Sequence, residues 1–136
     1  MGATERVDVT IPKRPEFVSV ARLTAAAVAG RQGFAFDEIE DLKIAVSEAC
    51  TLLIRAATDT SAPLRIAFVL RGDELAVSVE TREPGVVFEA APADDAAMDE
   101  GQLGMFLLRC LVDEVEVAQD PAVGTATLRL VKRRGV

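Results

Sequence analysis

The sequence predicts an α+β two-layer sandwich, with helices over one face of a mixed, mainly antiparallel sheet. Three observations carry that prediction. Apolar residues alternate with polar ones in several short segments, whereas longer segments repeat them at steps of three and four. The later strands come in pairs joined by turns too short for a helical crossover, which makes them antiparallel hairpins. No internal repeat is present, and 136 residues suit a single domain over 1–136 with room for a real core.

The first strand is predicted over residues 6–11, where Val7, Val9 and Ile11 alternate with Asp8 and Thr10. Pro12 and Pro15 close it, and Pro15 falls in the first turn of a helix that ends at Gly30 and Gly33. Phe17, Val20, Ala21, Thr24, Ala27 and Val28 are assigned to its apolar face, with Arg22 and Arg31 off the stripe. The second helix opens on a capping-box-like spacing, Asp37 followed three residues later by Glu40. Leu42, Ala45, Val46, Ala49, Leu53 and Ala56 then recur at helical spacing and define its buried face. A neighbouring face carries Asp41, Ile44, Glu48, Thr51, Leu52 and Arg55, so Glu48 and Leu52 stand one turn apart on the same side.

A polar break over 58–63 leads into a hairpin, residues 64–70 and 74–81, that turns at Arg71, Gly72 and Asp73. Residues 83–100 then lose periodicity and gather the acids Asp94, Asp95, Asp99 and Glu100. A stretch of that kind reads as a lid, a binding loop or a disordered segment. A third helix is predicted over 103–112, with Gly101 and Gly104 at its beginning. The last hairpin, 114–118 and 125–132, turns through Asp120, Pro121 and Gly124.

Composition narrows the function. The chain has no His, which excludes a histidine phosphoacceptor, an imidazole metal site and any His-dependent triad. Fifteen basic against twenty-two acidic residues give a net charge of −7, so direct nucleic-acid binding is not the expected role. A protein or a small molecule is the expected partner. Cys50 and Cys110 sit among apolar residues with no CxxC, and both are read as small buried hydrophobes in a reducing cytoplasm. The opening residues have no signal-peptide pattern, and no apolar run approaches the length of a membrane span. The terminal VKRRG is read as a short solvated basic tail.

Four stretches in register carry a resemblance: AVSEACT in the second helix, VSVETREPGVVF after the first hairpin, GQLGMFLLRCLVDEVEV, and GTATLRLVKR near the end. Together they resemble the anti-sigma-factor serine kinases of the RsbW type, within the histidine-kinase-like (GHKL, Bergerat) ATPases. The likeness runs from about residue 7 to residue 132. It implies the Bergerat fold, a homodimer, and a cytoplasmic protein that holds an alternative sigma factor until an anti-anti-sigma protein of the STAS type releases it. It also places Glu48 at the general base toward a serine of that antagonist. Thr81, Gly85, Gly101, Gly104 and Thr125 fall on nucleotide-binding positions, and Arg22 falls on an arginine that contacts both protein partners.

The same resemblance exposes departures. Leu52 stands where an Asn holds the magnesium of ATP, Thr81 where an Asp reads the adenine amino group, and Glu83 where a glycine opens the following turn. A Thr hydroxyl recovers part of the lost Asp hydrogen bond, worth roughly 1.5–3 kcal/mol, but Leu supplies no oxygen to a metal. Two readings follow from different classes. One is a binding module, an anti-sigma factor with an eroded ATP site that requires no cofactor; the other is a kinase in which Glu48 still activates a serine and ATP with magnesium enters by an altered route. An α+β interaction domain with changed partners is the third.

Overall fold

Alternation at period two builds five strands in the computed structural model, which describes residues 3–57, 61–82, 99–120 and 122–135. The chain runs β1 (Glu5–Ile11), a 3-10 turn (Pro15–Phe17), α1 (Val18–Gln32), α2 (Phe36–Ala56), β2 (Leu64–Arg71), β3 (Glu74–Arg82), α3 (Glu100–Leu111), β4 (Glu114–Asp120) and β5 (Thr125–Arg133). The strands form one sheet in the order β1-β2-β3-β5-β4, and every neighbouring pair is antiparallel. The sheet is thus not mixed. Two successive helices between β1 and β2 return the chain reversed, and β5 separates β3 from β4, which run the same way.

The register sets what each face of the sheet carries. Val9 and Ile11 lie opposite Ile66 and Leu64, and Val77 and Val79 lie opposite Leu130 and Leu128. These residues belong to the core that the helices cover. Their neighbours along each strand point the other way. That face is a ladder of charges and hydroxyls: Arg129 stands 3.7 Å from Glu116, Arg133 pairs with Glu114 and lies 3.5 Å from Glu74, and Thr127 Oγ1 donates to Glu80 Oε2 at 3.4 Å.

Helix α1 is rotated from its predicted setting. Val18, Ala21, Ala25, Val28 and Ala29 are buried, whereas Val20 and Leu23 are 43% and 61% exposed. The stripe was ambiguous because α1 is apolar on most sides, and the alanines win because small side chains let two helices approach. Helix α2 buries Leu42, Ala45, Val46, Ala49 and Leu53 as expected, and adds Cys50 and Leu52. Ala56 is only partly covered. Its start differs too: Ala35 is the N-cap, and Glu38 rather than Glu40 reaches back to accept from the Ala35 backbone N–H at 2.8 Å. Helix α3 begins earlier than predicted because Asp99 caps it. Asp99 Oδ1 accepts from the Gln102 N–H at 2.8 Å, and Gln102 Oε1 accepts from the Asp99 N–H at 3.1 Å. Residues 99 and 100 therefore belong to the helix start rather than to the loop predicted over 83–100, whose remaining residues, Gly85 and Glu83 among them, lie outside the described residues.

Two further expectations change. Cys50 is buried, and desolvation pushes its thiol up to about 12, but Cys110 is exposed on α3. The basic tail is solvent-exposed at residues 133–135, as expected, but it is also hydrogen-bonded to the body of the fold. Arg134 N–H donates to Asp73 O at 2.7 Å, and its Nη1 donates to Gln32 O at 2.7 Å, at the C-terminal end of α1 where a cation is favoured. Gly135 N–H donates to Glu38 Oε2 at 2.7 Å. Gln32 completes the clasp by donating from Nε2 to Gly72 O and Glu74 O at 2.9 and 2.8 Å.

The two backbone N–H groups that meet Glu38 hold its carboxyl below the ordinary value of 4.5. A carboxyl lowered in the folded state contributes stability above its unfolded value, and that contribution is lost as pH falls through the folded one. Glu38→Gln is therefore expected to lower the urea midpoint at neutral pH by a margin that shrinks as pH drops below about 4.5. A margin independent of pH, measured in the same titrations, would show that the carboxylate charge is not its source.

Candidate functional site

Helix α2 lies between α1 and α3 and packs against both. Its 3.6-residue repeat divides the predicted faces accordingly. Leu42, Ala45, Val46, Ala49 and Leu53 sit on the sheet, while Asp41, Glu48, Leu52 and Arg55 run along the side that meets α3. Glu48 is half-buried, and among the described residues its carboxylate makes no hydrogen bond or ion pair. Leu52, one turn on, is 4% exposed.

Gly104 is what brings the two helices together. A Cβ built there would stand 2.5 Å from Glu48 Oε1, 2.9 Å from Leu52 Cδ2 and 3.3 Å from Leu52 Cγ. Both ends of the seam are then closed by charge. Arg55 Nη1 lies 3.8 Å from Glu100 Oε2 at one end. At the other, Lys132 Nζ lies 3.6 Å from Asp41 Oδ2 and donates to Leu111 O at 2.8 Å, where the last carbonyls of α3 favour a cation.

The remaining predicted positions lie on other elements. Thr81 is 2% exposed, faces the helix side of the sheet opposite Ala126, and donates from Oγ1 to Pro63 O at 3.2 Å. It lines a cavity of about 40 Å³ with Pro63, Arg65, Glu80 and Arg82, small beside the ~300–1,000 Å³ usual for ligand sites. Thr125 pairs with Arg82, so it stands on the opposite face of the sheet from Thr81. Gly101 is exposed in the first turn of α3. Arg22 lies on α1, part-exposed and without a hydrogen bond or ion pair among the described residues, next to the exposed Leu23.

The structure thus joins Glu48, Leu52 and Gly104, with Thr81 on the helix-covered face of β3, Thr125 on the other face of the sheet and Arg22 on α1. Chemically, an unpartnered carboxylate at the seam can accept a proton or a hydrogen bond from an approaching group. Leu52 presents only carbon, and the close approach of Gly104 covers it. A magnesium ion, which requires oxygen ligands in near-octahedral geometry, does not fit that pair of residues. One contributor that the sequence reading passed over is Lys132, whose two contacts fasten α3 to α2.

This arrangement, helices over one face of an antiparallel sheet, agrees with the comparisons to known proteins. Residues 11–132 match the family model described as the histidine kinase-like ATPase domain. The chain belongs to that family and, within it, to the RsbW group. It is similar to the serine-protein kinase RsbW of Halalkalibacterium halodurans, 35% identical over 95% of this chain and 85% of that protein. It is also similar to the serine-protein kinase RsbW of a Bacillus cereus strain, 33% identical over the whole of this chain and 91% of that one. Among solved structures, the RsbU and RsbW domains of a Mycobacterium tuberculosis protein superpose with a TM-score of 0.71 at 21% identity, over 96% of this chain. This chain spans 32% of that larger one, and at such identity the likeness establishes the fold.

The seam makes a direct stability prediction. Gly104→Ala should destabilise the protein by roughly 1–3 kcal/mol in urea unfolding, since Leu52 is buried and has little room to yield. In a Leu52→Ala background, where that carbon is gone, the same substitution should cost less. Equal costs in the two backgrounds would mean that Leu52 is not what Gly104 avoids.

Proposed function

We propose that this chain is an anti-sigma factor: it binds and sequesters an alternative sigma factor, a STAS-type anti-anti-sigma protein releases it, and its nucleotide site is eroded. The observation that carries the reading is the Leu52–Gly104 contact. At the position where the resemblance puts a magnesium ligand, an apolar side chain is 4% exposed and sealed by the next helix. Phosphoryl transfer depends on metal and donor groups neutralising the transferred phosphate, and a leucine contributes nothing to that. No metal or nucleotide is required for the binding role.

Partner contact is assigned to α1. Arg22 has no intramolecular partner among the described residues, and Leu23, next to it on the helix, is exposed, so α1 offers a cation bordered by an apolar side chain. The resemblance places the same arginine at both protein contacts, and a homodimer and a cytoplasmic location belong to the proposal on the same ground. No helix among the described residues is long and apolar enough to cross a membrane.

One observation favours a second reading, the serine kinase. Glu48 is unengaged, as a general base awaiting a hydroxyl would be. The names of the similar proteins point the same way.

Two experiments decide between these. Co-expression with the alternative sigma factors of the same genome should give a stable complex that Arg22→Glu disrupts by at least ~1.4 kcal/mol, about tenfold. Absence of a complex with every sigma factor, with and without nucleotide, would overturn the proposal. Incubation with labelled ATP, magnesium and the STAS protein should leave that protein unlabelled; labelling that Glu48→Gln abolishes would establish the kinase instead.

A further inference from the structure

Helix α3 has two apolar faces, and the fold uses one. Met105, Leu108 and Val112 are buried, while Leu103, Phe106 and Leu107 are 57%, 47% and 38% exposed. The exposed residues recur at steps of three and four, so they form a continuous stripe on the side of the helix turned away from the sheet. Leu103 and Leu107 flank Gly104, the residue that touches Glu48, and Ile44, one turn before Glu48 on α2, is 49% exposed. The outer surface of the α2–α3 seam is therefore apolar around one half-buried carboxylate that has no partner among the described residues.

We infer that this seam is a docking surface for an amphipathic helix of a protein partner, whose apolar residues lie on Leu103, Leu107 and Ile44 and whose central Lys or Arg meets Glu48. The inference rests on the reading that the chain holds a protein partner, and assigns that partner a second contact beyond Arg22. Two physical arguments choose the occupant. The walls of the seam are helices, whose mid-length backbone groups are already bonded within the helix, so an added strand would find no ladder to join there. A helix brings its own backbone bonds and supplies anchors at the matching spacing. Charge selects the second feature. Covering Glu48 with apolar surface alone would strip water from a carboxylate and give it nothing in return, whereas a cation set among apolar anchors compensates it. The net charge of −7 favours the same sign of partner at longer range.

The test uses the full chain, its sigma factors, and an amphipathic Leu/Lys helical peptide with a Leu/Glu counterpart as direct probes. Backbone amide shifts on adding the Leu/Lys peptide should concentrate on α2 and α3, and the Leu/Glu peptide should produce none. Leu107→Asp, at an exposed site that should leave the melting temperature nearly unchanged, should weaken the peptide and the sigma complex about tenfold. Glu48→Lys should invert the preference between the two peptides, which a merely structural role would not do. A sigma complex whose affinity is untouched by Leu107→Asp and Glu48→Lys would overturn the seam inference and leave the anti-sigma reading standing. Peptide binding at the seam with no sigma complex would overturn that reading and keep the seam. A dimer that Leu107→Asp splits into monomers, measured by sedimentation, would show that the occupant is a second copy of this chain and would overturn the proposed one.

Discussion

The contact of α3 with α2 at Gly104 is the constraint on which the rest of this structure depends. It is a backbone-to-side-chain approach: the position where a Cβ would be lies 2.5 Å from a carboxylate oxygen and 2.9 Å from a leucine methyl. Only glycine permits that distance. Because α3 sits so close, Leu52 is buried, Arg55 comes near Glu100, and Lys132 spans Asp41 and the last carbonyl of α3. The same setting points Met105 and Leu108 into the core and leaves Leu103, Phe106 and Leu107 outside.

Charged groups also pair elsewhere in this fold. Arginines and glutamates pair across the open face of the sheet, and the clasp at the chain's end joins Arg134 to α1 and Glu38 to the Gly135 backbone. Surface pairs of this kind contribute little stability each. The other charged side chains without a partner among the described residues are exposed, whereas Glu48 and Arg22 are partly covered.

Much of this was legible in the sequence, for identifiable reasons. The strands were, because alternation at period two is strong in the segments around Val7, Ile66, Val77 and Leu128, and the hairpin turns carry Gly72 and Gly124 at the positive φ they need. The buried face of α2 was legible because Leu42, Val46 and Leu53 leave no alternative. The face of α1 was not, since Val20 and Ala25 are nearly equal in the pattern and only packing against α2 separates them. The start of α3 was written as Asp99 and Gln102 but was overlooked in a run of acids. The site was half legible: spacing put Glu48 and Leu52 on one side, but nothing in the sequence says that Gly104 closes over them or that Thr81 and Thr125 face opposite ways. Those facts arise from register and from contacts between segments distant in the chain.

The central claim is that Leu52 has cost this scaffold its magnesium-dependent nucleotide site. Calorimetric titration of the purified chain and of Leu52→Asn with magnesium and ATP, under identical conditions, tests it most directly. The account predicts saturable binding by Leu52→Asn and none by the native chain at the same concentrations. Equal binding by both proteins would contradict it.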